Sequence, residues 1–193
     1  MLRKLLAAGA IAVGLAACAT PTPYQPNLRG NQTSGGFSEI RIAPDRFRVT
    51  FAGNSLTSRE RVETYLLYRS AELTLASGFR TFQTVERDTE RNTRIYAEPN
   101  LLGPRWGYGR WSPFYRPSWR YYGGRYGWRS WDPYFGSPFW ADSVDYRQVT
   151  QYEASAEIHM SNSARSDDPK VFDAEEVVRN LRPYVEYPGD RRR

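Results

Sequence analysis

The sequence predicts an α+β fold: a small β-α-β…β-α layer with its helices packed on one face of a mixed or antiparallel sheet, interrupted by a disordered aromatic/Gly/Arg insertion. Three observations carry that expectation: two stretches of apolar/polar alternation, one long capped helical stripe, and a shorter one near the C-terminus. Since typical domains hold roughly 100–150 residues, a chain of 193 has room for one modest core.

Phe47, Val49 and Phe51 alternate with Arg46, Arg48 and Thr50, the period of two that turns one face of a strand toward a core. Ala52-Gly53-Asn54-Ser55 breaks the run. Thr57-Ser58-Arg59-Glu60 then fits a capping box, in which the Thr57 hydroxyl and the Glu60 carboxylate satisfy free backbone N–H groups of a first helical turn. Val62, Leu66, Arg69/Ser70, Leu73 and Ala76 recur at spacings of three and four, joined by Tyr65 and Leu67. Gly78 stands where a helix ends, so a helix is expected over about 58–77. Phe79, Phe82 and Val85 lead into a strand that runs out into the polar TVERDTERNTR. Tyr152, Ala154, Ala156, Ile158 and Met160 alternate with Glu153, Ser155, Glu157 and His159, the pattern of an antiparallel strand with one dry face. Asp173, with Glu176 three residues on, caps a final helix whose stripe is Val177, Val178 and Leu181, and Pro183 stops it.

The first residues, MLRKLLAAGAIAVGLAAC, join a basic start at Arg3 and Lys4 to an apolar run from Leu5 to Ala17. That run is too short for a bilayer, which takes about 20 residues, and reads as a signal peptide over 1–17. Leu15-Ala16-Ala17-Cys18 resembles the lipobox of bacterial lipoproteins: a branched apolar residue, two small residues, then cysteine. The resemblance implies cleavage between Ala17 and Cys18, a diacylglyceryl group on the Cys18 thiol, and an N-acyl group on the new amino terminus. Two or three acyl chains hold firmly where one, at about 0.8 kcal/mol per buried methylene, does not. Ala19 stands where an aspartate would mark retention at the inner membrane, so the implied location is the periplasmic face of the outer membrane. Residues 18–40 are expected to form the lipidated start and a flexible tether, because ATPTPYQPNLRGNQTSGG offers almost nothing to bury. Extended, that stretch would reach about 60 Å. Residues 41–185 are then the single domain and 186–193 a basic tail.

The run FAGNSLTSRERVETYLLYRSAELTLASGFRTFQTVERDTE resembles the signature of a family of small Gram-negative lipoproteins that share a GN-x-x-T element, a YLLYR-A-AELT helix and a following strand. The likeness covers about 45–90, the lipobox and, more loosely, the C-terminal strand and helix. This chain departs from it at Ser70, where alanine is expected. The resemblance implies location and fold, and no activity.

Residues 101–140 hold all six tryptophans of the chain, many tyrosines and phenylalanines, and Arg105, Arg110, Arg116, Arg120, Arg125 and Arg129 against the single acid Asp132. Repeated Gly and Pro argue against a continuous helix or strand. Aromatic faces with guanidinium groups between them can stack on sugars and bind anionic headgroups, and Trp and Tyr favour a membrane–water boundary. Trp106, Trp111, Arg116, Trp119, Arg120, Tyr122, Trp128 and Trp131 are the candidate interaction surface. Self-stacking in a low-complexity loop is the bland alternative, and a protein-binding loop the third.

Of 27 basic residues only Lys4 and Lys170 are lysines, and the net charge is +6. Export makes nucleic acid the least suitable anionic partner, so none is expected. Cys18 is the only cysteine, which excludes an internal disulfide. His159 has no Cys/His partners for a metal or for acid–base work, Glu86, Asp88 and Glu90 are interleaved with Arg87, Arg91 and Arg94, and Gly107-Tyr108-Gly109 lacks the strand and helix of a phosphate loop. No metal, cofactor or enzymatic activity is expected. The functional expectation is a membrane-anchored envelope lipoprotein in a structural or interaction role, contacting peptidoglycan, glycan or lipid headgroups. The alternative is an accessory or assembly subunit that binds a partner envelope protein.

Overall fold

Alternating side chains place Val49 and Phe51 on one side of a strand and Arg46, Arg48 and Thr50 on the other, and the computed structural model, which describes residues 20–85, 117–122, 127–131, 151–163 and 171–190, bears that out. Its elements are β1 (Gly36–Ala43), β2 (Arg46–Ala52), α1 (Arg59–Ala76), β3 (Thr81–Thr84), β4 (Ser118–Tyr122), β5 (Trp128–Trp131), β6 (Gln151–Ser161), β7 (Val171–Asp173) and α2 (Ala174–Leu181), followed by a 3-10 turn over Arg182–Tyr184. The strands form one antiparallel sheet and the two helices pack with it around one core, an α+β fold.

The long strand β6 is the axis. Along one edge it pairs with β2, from Arg46↔His159 to Ala52↔Glu153, and β1 closes that side. Its other edge is shared by two strands end to end: β3 pairs from Thr81↔Ser161 to Thr84↔Ile158, and β4 continues from Ser118↔Ser155 to Tyr122↔Gln151. The Val85 N–H still reaches the Glu157 carbonyl at 2.8 Å, so β3 and β4 lie on one line, joined in sequence through residues 86–116. Outside them stand β7 against β3 and β5 against β4.

The dry face carries Val49, Phe51, Phe82, Ala154, Ala156, Ile158, Met160 and Phe172, all buried. On it lies α1, whose Val62, Tyr65, Leu66, Leu67, Tyr68, Ala71 and Thr74 are buried around most of its circumference, because α2 and the segments around Tyr24 and Val185 cover the side turned from the sheet. Ser70 is fully buried, and its hydroxyl donates to the Leu66 carbonyl at 2.9 Å, which makes a serine tolerable where alanine would also fit. Gly78, at φ +81°, supplies the left-handed residue after the helix. The N-cap differs from expectation: Ser58, not Thr57, accepts from the N3 amide (Arg61) at 3.2 Å, because the Thr57 hydroxyl is engaged elsewhere. Asp173 caps α2 as expected, accepting from Glu176 N at 2.9 Å.

Three further expectations are corrected. Seven-strand pairing includes part of the aromatic insertion, since β4 and β5 form a hairpin on β6. The Gly and Pro fall between the strands and not inside them. The stretch expected to be a free tether is also part of the domain: Thr22, Tyr24 and Gln25 are buried, and Pro26 bridges Phe37 in parallel beside β1. The expected tail likewise begins too early, because Glu186 and Tyr187 pack against α1 and Tyr24.

Gly36 makes that return of the chain feasible. Its φ is +133°, and a Cβ there would sit 2.3 Å from the Gln25 carbonyl oxygen. Gly36→Ala combines left-handed strain with a backbone clash, so a loss of at least about 2 kcal/mol is expected in urea unfolding, with faster proteolysis before residue 27.

Candidate functional site

The GN-x-x-T element is a clamp for residues 20–22. Gly53 carries no side chain because a Cβ would lie 2.7 Å from Thr57 Cβ and 3.0 Å from a Val62 methyl. That close approach brings Asn54 and Thr57 together, the Thr57 hydroxyl donating to Asn54 Oδ1 at 2.8 Å. The pair holds the N-terminal segment at several points. Thr22 N–H donates to Thr57 Oγ1 at 2.8 Å, Asn54 N–H donates to Thr22 Oγ1 at 2.9 Å, and Asn54 Nδ2 donates to the Thr20 carbonyl at 2.7 Å. Thr22 also donates to the Ser34 carbonyl at 2.8 Å. Thr22 and Thr57 are buried, so these bonds replace water that neither group can reach, and each buried group left unmatched would cost about 1–3 kcal/mol.

The YLLYR-A-AELT helix supplies the socket for the next residues. Tyr24 meets Tyr65, Tyr68 and Tyr187 edge-on, with centroids 5.6, 5.1 and 5.6 Å away, and tilts against Phe37 at 4.9 Å. Its hydroxyl donates to Glu72. Arg69 bridges Glu72 and Glu39 while its guanidinium covers the Phe37 ring at 4.3 Å. The C-terminal segment closes the socket: Tyr24 N–H donates to the Glu186 carbonyl at 2.8 Å, Glu186 N–H donates to the Tyr65 hydroxyl at 2.9 Å, and Arg61 grips the Glu186 carboxylate at 2.8 and 3.0 Å. The segments around Tyr24 and Glu186 therefore meet on α1.

Burial, then the hydrogen bond to Glu72, push the Tyr24 hydroxyl well above its ordinary value; burial and then the Tyr187 hydroxyl do the same to Tyr68. The consequence is alkaline sensitivity. Below about pH 10 both states keep these protons and nothing changes, whereas above it the unfolded chain releases protons that the native chain retains. Stability is expected to fall above pH 10 by up to about 1.4 kcal/mol per pH unit for each tyrosine. Urea midpoints measured between pH 8 and pH 11 check this, and Tyr24→Phe should flatten the decline.

The proposed aromatic surface divides. Trp119 is not a surface residue: it is 1% exposed on the dry face, opposite Ala154, with the Arg59 guanidinium over its ring at 5.4 Å. The small Ala154 leaves the space that the indole fills. Arg120, Tyr122 and Trp128 lie on the opposite, open face. There Arg120 donates to Glu153 at 3.1 Å and covers Trp128 at 5.0 Å, and Tyr122 meets Trp128 edge-on at 5.7 Å. Trp128 is 38% exposed. The Trp131 backbone pairs with Trp119. Trp106, Trp111 and Arg116 lie outside the described residues, as do Ala17, Cys18 and the carboxylates Glu86, Asp88 and Glu90.

Further along the open face, Glu157 takes Arg46 and, at 3.8 Å, Arg48. His159 Nε2 meets Asp45 at 2.9 Å, and its Nδ1 faces Gln83 at 3.5 Å. Among the described residues neither ring nitrogen is aimed at a hydroxyl or thiol of the kind an activated nucleophile needs. Among the described residues no group of His, Cys, Asp and Glu could hold a metal ion, and no helix is long and apolar enough to cross a membrane.

Sequence reasoning missed Thr22, Tyr24, Asn54 and Thr57 as a unit. The available signal was Tyr24, a lone aromatic in a polar run, together with the GN-x-x-T spacing. No family model, curated protein or solved structure matches the chain.

Proposed function

We propose that the chain is a lipoprotein of the bacterial envelope, held by diacylglyceryl and N-acyl groups on Cys18 at the periplasmic face of the outer membrane, with a non-enzymatic structural or interaction role. The observation that carries the reading is the lipobox Leu15-Ala16-Ala17-Cys18 standing immediately before a segment for which the domain has a built seat. A clamp that takes hold two residues after Cys18 suits a protein whose mature chain begins at that cysteine. The outward-facing Arg120, Tyr122 and Trp128 are the part of the aromatic segment suited to peptidoglycan, glycan or lipid headgroups.

The second reading, an accessory subunit that binds a partner envelope protein, is favoured by β1. It is an edge strand, and its Ile40 and Ile42 are 61% and 45% exposed.

Replacing Cys18 by serine tests the first reading. The variant is expected to lose labelling by radioactive palmitate and to leave the membrane fraction; continued labelling would refute the anchor. Loss of retention on purified cell wall or vesicles in Arg120→Ala/Trp128→Ala favours polymer or lipid contact, whereas partner capture lost only in Ile40→Lys favours the edge strand.

A further inference from the structure

We infer that the end of the sheet bearing Thr20, the turn at 54–58 and the β4–β5 hairpin is the face that rests in the phospholipid headgroup layer, so that this domain lies on the membrane in one fixed orientation. The inference rests on acylation of Cys18 and adds to it a direction. One residue, Ala19, separates Cys18 from Thr20, so two Cα steps place the Cys18 backbone within about 8 Å of Thr20 whatever path it takes. Thr20 is itself held by Asn54 at 2.7 Å. A bilayer that receives the acyl chains therefore meets this end of the domain first.

The register shows what else stands there. Gly53 N–H donates to the Tyr152 carbonyl, which sets Asn54 level with Gln151, and Gln151 pairs with Tyr122, which pairs with Trp128. Asn54, Gln151, Tyr122 and Trp128 thus form one row across four strands, about 15 Å wide at 4.8 Å per strand. Leu56, fixed in the turn by its N–H to Asn54 Oδ1 at 3.0 Å, is 48% exposed at one side of the row, and Trp128 at the other. Arg129 is exposed beside it. An apolar side chain, an indole and a guanidinium on one rim are the groups that enter a headgroup layer and bond its phosphates. The opposite end of β6, at Ser161, lies about 33 Å away.

Because the acylated Cys18 has no free thiol, single cysteines introduced elsewhere can be labelled. Ser55→Cys and Ser130→Cys report on the proposed face and Ser163→Cys on the far end. Each acylated full-length protein, carrying a thiol-linked fluorophore, is bound to vesicles of phosphatidylethanolamine and phosphatidylglycerol that contain a headgroup-nitroxide lipid. Quenching at positions 55 and 130 is expected to exceed that at 163 by at least about threefold, given the 33 Å separation. Equal quenching at all three, or stronger quenching at 163, overturns the orientation. Mass spectrometry of the amino-terminal peptide on the same samples keeps the two ideas apart: an unacylated Cys18 refutes the lipoprotein reading, whereas an acylated protein without the contrast refutes the orientation alone.

Discussion

Tyr24→Ala is expected to destabilise the chain by about 3–5 kcal/mol, the range for removing a buried aromatic side chain. The site cannot readily collapse to fill the void, since Tyr65 and Tyr68 are fixed on α1 and Phe37 on β1. Removal also strips Glu72 of its phenolic donor, leaving it Arg69 at 3.1 Å. Tyr24→Phe keeps the rings and loses only the hydrogen bond to a charged acceptor, so about 1.5–3 kcal/mol is expected there. Urea unfolding of a chain that starts at position 18, with Cys18 replaced by serine, measures both. A loss below about 1 kcal/mol for Tyr24→Ala would mean that the segment after Cys18 is not seated.

Trp119→Ala is expected to cost a similar amount, about 3–5 kcal/mol, while Trp128→Ala on the neighbouring strand costs about 1 kcal/mol or less. The two tryptophans belong to the same aromatic stretch and differ in the face they occupy. Trp119 fills the space over Ala154, and Trp128 trades an exposed contact with Arg120 for water. Equal costs would refute the division. Removal of the whole 101–140 stretch would delete β4, β5 and Trp119 together, so lost binding in such a variant would report on folding. Surface contact is better tested by Arg120→Ala and Trp128→Ala.

What could be read from the sequence depended on how many side chains of an element enter the core. β2, β6 and both helices announce themselves because each commits several apolar residues at a regular spacing. β1 did not, because its core-side positions hold Phe37, Glu39 and Arg41, two of them charged and satisfied at the sheet edge, while Ile40 and Ile42 face outward. β4 buries only Trp119 and Tyr121 among its residues, and β7 has three residues in all. The clamp was legible only as a spacing of Gly, Asn and Thr. Its meaning depends on Thr22, thirty-five positions from its partner Thr57, and local patterns carry no information about contacts at that separation.

The collinear pair β3 and β4 has a consequence for how this chain can vary. Val85 stands opposite Glu157 and Ser118 opposite Ser155, so a single residue opposite Ala156 would turn the two into one uninterrupted strand. The chain places residues 86–117 there instead. Because the closure cost of such a connection grows only by about 0.6 kcal/mol per doubling of its length, the sheet has a splice point where sequence can be lengthened, shortened or exchanged without moving any register. A change of length at that point leaves the seat for residues 20–25, on the other side of β6, as it is.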